Sequence, residues 1–142
     1  MIDSLNYYLE RLSSASELLE RFFDCKNITF KQLVPSVLPE KAGVYAIFDA
    51  SDDLCLYVGR TKNLRNRLYT NHLMGSTTNA RLKKYLIEDS TLPEIDDQTK
   101  AKQYIRERCY FRFIEVSDTT ERGQIEGLLS YLLNVRYIHE EH

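Results

Sequence analysis

Residues 56–73, LYVGRTKNLRNRLYTNHL, hold Arg60, Lys62, Arg65 and Arg67 with no acid among them. The acid-free stretch runs from residue 54 to residue 87 and adds Arg81, Lys83 and Lys84, so it carries +7 while the remainder carries −9 within a total of −2. Charge segregated to this degree points to an anionic partner on one face. A guanidinium is always charged and offers a planar fork to two phosphate oxygens, which lysine cannot copy. The near-neutral total argues against indiscriminate coating of nucleic acid. Other chemistries fit less well. GRTKN lacks the glycine, lysine and serine order of a phosphate-binding loop, and no pair of carboxylates flags a glycosidase. Cys25, Cys55 and Cys109 are odd in number and far apart. They suit neither a zinc site nor a thiol protease and are expected as reduced thiols.

A chain of 142 residues, 43% apolar and 28% charged, supports one core and is too short to expect two. No run approaches the roughly 18–20 apolar residues of a membrane span, and the charged N-terminus is unlike a signal peptide; a cytoplasmic protein is expected. Leu5, Leu9, Leu12, Leu19 and Phe22 recur at helical spacing and predict an amphipathic helix over residues 4–23. Pro35, Pro39 and Gly43 make residues 26–43 a connector with at most one helical turn. GVYAIFDA and LCLYVG, flanking SDD, read as a β-hairpin, and CYFRFIEV as a third strand. Between them, helices are expected over KNLRNRLYTNHL, over NARLKKYLIED with Asn79 as its cap, and over residues 98–108. Ile125, Leu128, Leu129, Leu132 and Leu133 mark a closing helix.

With GVY at 43–45, YVG at 57–59, NLRNRL at 63–68 and RGQIEGLLSYLL at 122–133, in this order, the chain resembles the GIY-YIG nuclease superfamily. The resemblance covers residues 43–137. It implies an α+β fold: a small three-stranded, mainly antiparallel sheet flanked by helices, here with an added N-terminal helix. The organisation expected is residues 1–40, helix and connector, packing on a nuclease domain of residues 41–142. By the same resemblance the activity is metal-dependent endonucleolytic hydrolysis of DNA, with RNA not excluded, using one Mg2+ or Mn2+ ion held by Glu126. Tyr45 is the candidate to help deprotonate the attacking water, Tyr57 to orient water or phosphate, and Arg67, ten residues after Tyr57, to bind the scissile phosphate. A free phenol titrates near ~10, so a neighbouring cation must favour its ionised form. Arg60, Lys62, Arg65, Arg81, Lys83 and Lys84 are the candidates for contact with the nucleic-acid backbone, solvation being the competing role for each.

Two positions depart from the family. Relatives often carry histidine or tyrosine four residues after the arginine; here Asn71 stands there and His72 comes next. On an ideal α-helix His72 would lie about 140° from Arg67, so it joins the site only if the helix ends or bends. Relatives often end the closing helix with proline, two residues and asparagine; Val135 and Ile138 stand at those places. These departures keep a second reading open, a catalytically silent nucleic-acid-binding or protein-interaction module on the same fold. A homo-oligomer or a targeting protein could supply the specificity that so small a domain lacks.

Overall fold

Residues 43–49 and 54–61 are mainly apolar and aromatic runs on either side of an acidic turn, and they pair as predicted. The computed structural model describes residues 3–75 and 81–138. In chain order these form α1 (Ser4–Asp24), β1 (Ile28–Thr29), a 3₁₀ turn (Pro35–Val37), β2 (Gly43–Asp49), β3 (Leu54–Thr61), a π-helix (Asn66–Leu73), α2 (Arg81–Glu88), α3 (Gln98–Arg108), β4 (Cys109–Glu115) and α4 (Thr119–Leu132). Asn79, expected to cap the second helix, lies outside the described residues. Asp118 caps α4, its carboxylate accepting from the Glu121 N–H at 2.8 Å.

The sheet has four strands, not three, in the order β1-β4-β2-β3, and every neighbouring pair is antiparallel. The extra strand, β1, is two residues long and pairs Ile28 and Thr29 with Phe111 and Tyr110 of β4. It gives the connector a backbone anchor that its own sequence does not announce. β2 is central, and its side chains alternate between two cores. Val44, Ala46 and Phe48 pack with Phe22 of α1 and Ile125 and Leu129 of α4. Tyr45 and Ile47 face the opposite core, with Leu64, Leu68, Leu82, Leu86 and Ile105. A bulge opposite Ile47 and Phe48 leaves Leu56 as the extra residue of β3, so Leu56 and Tyr57 both reach the Tyr45 side while Cys55 turns to the other.

Only the last turns of α1 are held. Phe22 is fully buried, worth about 1.5–3 kcal/mol, while Leu5, Tyr8, Leu9 and Leu12 stand at least half exposed. Cys55 and Cys109 are buried, and the three cysteines are free thiols. Among the described residues no helix is long and apolar enough to cross a membrane.

After α4 the chain turns sharply at Asn134, whose φ of 48° lies in the left-handed region that asparagine tolerates. The tail then runs along the outer edge of β3, with the N–H groups of Arg136 and Tyr137 donating to Cys55 and Leu56 carbonyls at 3.0 Å. Asn134 therefore ends a helix.

Candidate active site at the edge strand

Tyr45 stands directly opposite Gly59 in the β2–β3 ladder. Its ring lies across the glycine, where a Cβ would come within 2.6 Å of the Tyr45 Cζ. The glycine of YVG thus makes room for the tyrosine of GVY. Tyr57 lies two positions away on the same face, its ring stacked at 6.2 Å and 23° from that of Tyr45. His72 meets both rings edge-on, at 5.3 and 5.0 Å, and its Nε2 lies 2.6 Å from the Tyr45 hydroxyl.

His72 reaches these rings because residues 66–73 wind as a π-helix. Such a helix bonds residue i to i+5, as the Met74 N–H does to the Tyr69 carbonyl at 3.1 Å. A residue five places after Arg67 then returns to nearly the same face, which four places would reach on an α-helix. The wider turn absorbs the displacement of the histidine by one position.

Electrostatics separate the groups. Burial, with Tyr57 and Glu126 nearby, pushes the Tyr45 phenol well above its ordinary range, while the Arg67 guanidinium pulls it down. Tyr57 is raised for the same first reason and is likewise pulled down by Arg67. Burial, then the charges of Arg67 and Lys83, hold His72 down to about 3, so the imidazole is neutral. Its Nδ1 is buried and makes no hydrogen bond among the described residues.

Glu126 comes from the other side of the sheet. Arg60, on β3, lies across α4 where Gly123 leaves room for its guanidinium, and its Nε stands 4.0 Å from the Glu126 carboxylate. Partial burial raises the Glu126 carboxyl although Arg60 pulls it down. A cleft of about 880 Å3 wraps the edge of β3 and joins the two sides, lined among others by Tyr57, Arg60, Arg81, Tyr85, Glu126 and Ser130. Among the described residues no three His, Cys, Asp or Glu side chains gather to hold a metal. One half-buried carboxylate, with the Arg60 guanidinium 4.0 Å away and facing an open cleft, instead suits a hard ion that keeps most of its waters.

The GIY-YIG catalytic domain model matches residues 41–113, just over half of the 142-residue chain. The chain belongs to the GIY-YIG catalytic domain family. It is thus of the endonuclease type, as GVY, YVG and the helix arginine imply. Among curated proteins, the UvrABC system protein C of Rickettsia rickettsii (strain Sheila Smith) and that of Rickettsia conorii are each 42% identical over 59 residues, 39% of this chain. The match covers 9% of each relative, so the chain is similar to a small part of them. Among solved structures, two point mutants of the GIY-YIG N-terminal endonuclease domain of UvrC from Thermotoga maritima, both bound to the catalytic divalent cation, are 19% and 18% identical. Each has a TM-score of 0.43, with 75% of this chain and 91% of theirs covered.

Within this GIY-YIG domain the expected residues divide. Tyr57, Arg60, Arg81 and Glu126 line the cleft, whereas Tyr45 and His72 are fully buried behind it. Arg67 acts through its charge on Tyr45, Tyr57 and His72. Lys62 and Lys84 are exposed. Arg65 is engaged by its own chain, its Nε donating to the Leu38 carbonyl at 2.9 Å and its Nη1 lying 3.4 Å from Glu40. Lys83, expected on a nucleic-acid surface, is instead 1% exposed. Its ammonium donates to the carbonyls of Leu73, at 2.9 Å, and Gly75, closing the end of the π-helix. Burial of its head, first, lowers it to about 8. Lys83→Met is expected to lower stability by about 1–3 kcal/mol, through carbonyls left unpaired, without altering the salt dependence of DNA binding; denaturant melts and binding titrations check both.

Sequence reasoning missed Tyr85 and Tyr137, which extend the row of rings from Tyr57. A total of ten tyrosines was the available signal, but composition does not say which of them meet. Ile138 lines the cleft and is 68% exposed, so an apolar side chain stands where relatives often carry an amide.

Proposed function

We propose that this protein is a metal-dependent endonuclease that hydrolyses phosphodiester bonds in DNA. The observation that carries the reading is the meeting, around the edge of β3, of a phenol from one face of the sheet and a carboxylate from the other, in one cleft, with the Arg67 charge acting on both phenols.

Tyr57, which lines the cleft, takes the proton of the attacking water in place of Tyr45, the candidate from the resemblance, because Tyr45 is buried behind the cleft. Arg67 favours the ionised form of Tyr57 and, at the phosphate, offsets the charge that develops on the equatorial oxygens. Tyr45 and His72 hold the Tyr57 ring from behind. A neutral imidazole has one N–H, and placed on Nε2 it donates to the Tyr45 oxygen. Glu126 would hold Mg2+ or Mn2+. When bound, the ion supplies Lewis-acid stabilisation of charge on the phosphate and the departing oxygen. Arg60 steadies the carboxylate and draws the strand toward it.

The test is incubation of supercoiled plasmid with the protein and Mg2+ or Mn2+. Nicking that EDTA stops supports the reading. Binding without nicking in either metal would leave the silent nucleic-acid-binding module in its place.

The pH dependence is set by Tyr57. A phenol that must lose its proton and is raised above its ordinary ~10 is ionised in a fraction that grows about tenfold per pH unit through the neutral range. Single-turnover cleavage in Mg2+ is expected to climb steadily between about pH 6 and 9.5, with no break near the ordinary histidine value of ~6.5, because His72 titrates at about 3. A plateau above about pH 7 that shifts in His72→Gln would assign the base to the imidazole.

A further inference from the structure

Four of the ten tyrosines, Tyr57, Tyr85, Tyr131 and Tyr137, line the same cleft as Glu126. Three form a row, with Tyr57 to Tyr85 at 6.4 Å and 41° and Tyr85 to Tyr137 at 5.6 Å and 21°. The outer end of that row is pinned. Tyr137 is tied to β3 through its backbone N–H, its hydroxyl donates to Asp89 Oδ2 at 2.6 Å, and Arg136 lies 5.4 Å over its ring while bonding the same carboxylate.

Tyr131 is different. It stands on α4, five residues after Glu126, is 84% exposed, and its side chain makes no hydrogen bond or ring contact among the described residues. The fold therefore neither buries nor braces this ring at the cleft. A phenol ring left in water, in a cleft that Arg60 and Arg81 also line, is suited to a flat partner with a π-face. Bases inside a duplex stack on one another and offer only their edges, whereas an unpaired base offers a face.

Resting on the endonuclease reading above, we propose that the cleft binds an unpaired nucleotide of a single-stranded or locally opened DNA strand, with its base stacked on Tyr131. Arg60 and Arg81 draw its phosphates, and the pinned row of rings lines the same cleft. The preferred substrate is then DNA with unpaired bases, not intact duplex.

The experiment measures the affinity of the full chain for a short fluorescein-labelled oligonucleotide, either single-stranded or annealed to its complement. EDTA prevents cutting, and one low salt concentration is kept throughout. The single strand is expected to bind more tightly than the duplex. Tyr131→Ala is expected to weaken single-strand binding about tenfold, in line with the loss of one stacked base, and to leave duplex binding unchanged. Tyr131→Phe, which keeps the ring, is expected to bind like the wild type. An abasic strand, with its phosphates intact, is expected to bind the wild type as weakly as the normal strand binds Tyr131→Ala. Equal weakening of both DNA forms by Tyr131→Ala, no weakening, or full affinity for the abasic strand would overturn the stacking site while plasmid nicking still upheld the nuclease. Failure of the wild type to bind any DNA would overturn both.

Discussion

Arg67→Ala is expected to slow single-turnover DNA cleavage by roughly 10²–10³-fold, the usual cost of removing one preorganised group aimed at developing charge. Two effects combine in this side chain. Its charge favours the ionised forms of Tyr45 and Tyr57, and its planar fork matches a phosphate. Arg67→Lys restores the first in part and the second not at all, so it is expected to recover only a small share of the rate. The same loss is expected for Glu126→Gln, which keeps the shape of the side chain and removes the charge that a divalent ion requires. Cleavage by Arg67→Ala at the wild-type rate would mean that Arg60 or Arg81, the guanidinium groups that line the cleft, serve the phosphate.

Gly59→Ala tests the arrangement behind the cleft without removing an ionisable group. The added Cβ would lie 2.6 Å from the Tyr45 Cζ and 3.0 Å from its Cε1. Tyr45 is buried and bonded to His72, so the ring has nowhere to swing. The overpacking is expected to cost about 1–3 kcal/mol of stability, and displacement of the phenol pair to lower the cleavage rate about 10²-fold, since small misplacements at a reacting centre have effects of that order. Gly127→Ala provides the contrast. Nothing lies within 4 Å of its added Cβ, so a helix-interior glycine is replaced at a gain of up to about 1 kcal/mol. Thermal melts of the two variants should move in opposite directions.

Much of this arrangement is legible in the residues. The β-rich run at 43–49 and the alternation in 109–115 reflect a central strand and its neighbour in a sheet with a core on each face, and α3 spans the residues expected of it. The short strand β1 was not legible, because two residues carry no period and its existence depends on the edge that β4 offers. His72 could not be placed from the sequence, since the spacing of the leucines does not distinguish α- from π-winding; in the fold, Leu64, Leu68 and Leu73 share one core with Leu82 and Leu86 of α2 and Ile105 of α3. Lys83 was misread for a related reason. In an acid-free run every cation resembles a surface cation, and only the fold reveals that its head is consumed by two carbonyls. Glu126 was found through its place in the motif, but its position across the edge strand from Tyr57 depends on how α4 crosses the sheet.

The most direct measurement is anomalous diffraction from crystals grown with Mn2+ and a short non-hydrolysable phosphorothioate oligonucleotide. One Mn2+ peak is expected on the Glu126 carboxylate, with a backbone phosphate spanning the cleft from that ion to the Arg67 guanidinium and the Tyr57 hydroxyl facing the phosphorus. An ion bound away from Glu126, or a phosphate seated out of reach of Arg67, would contradict a shared catalytic cleft.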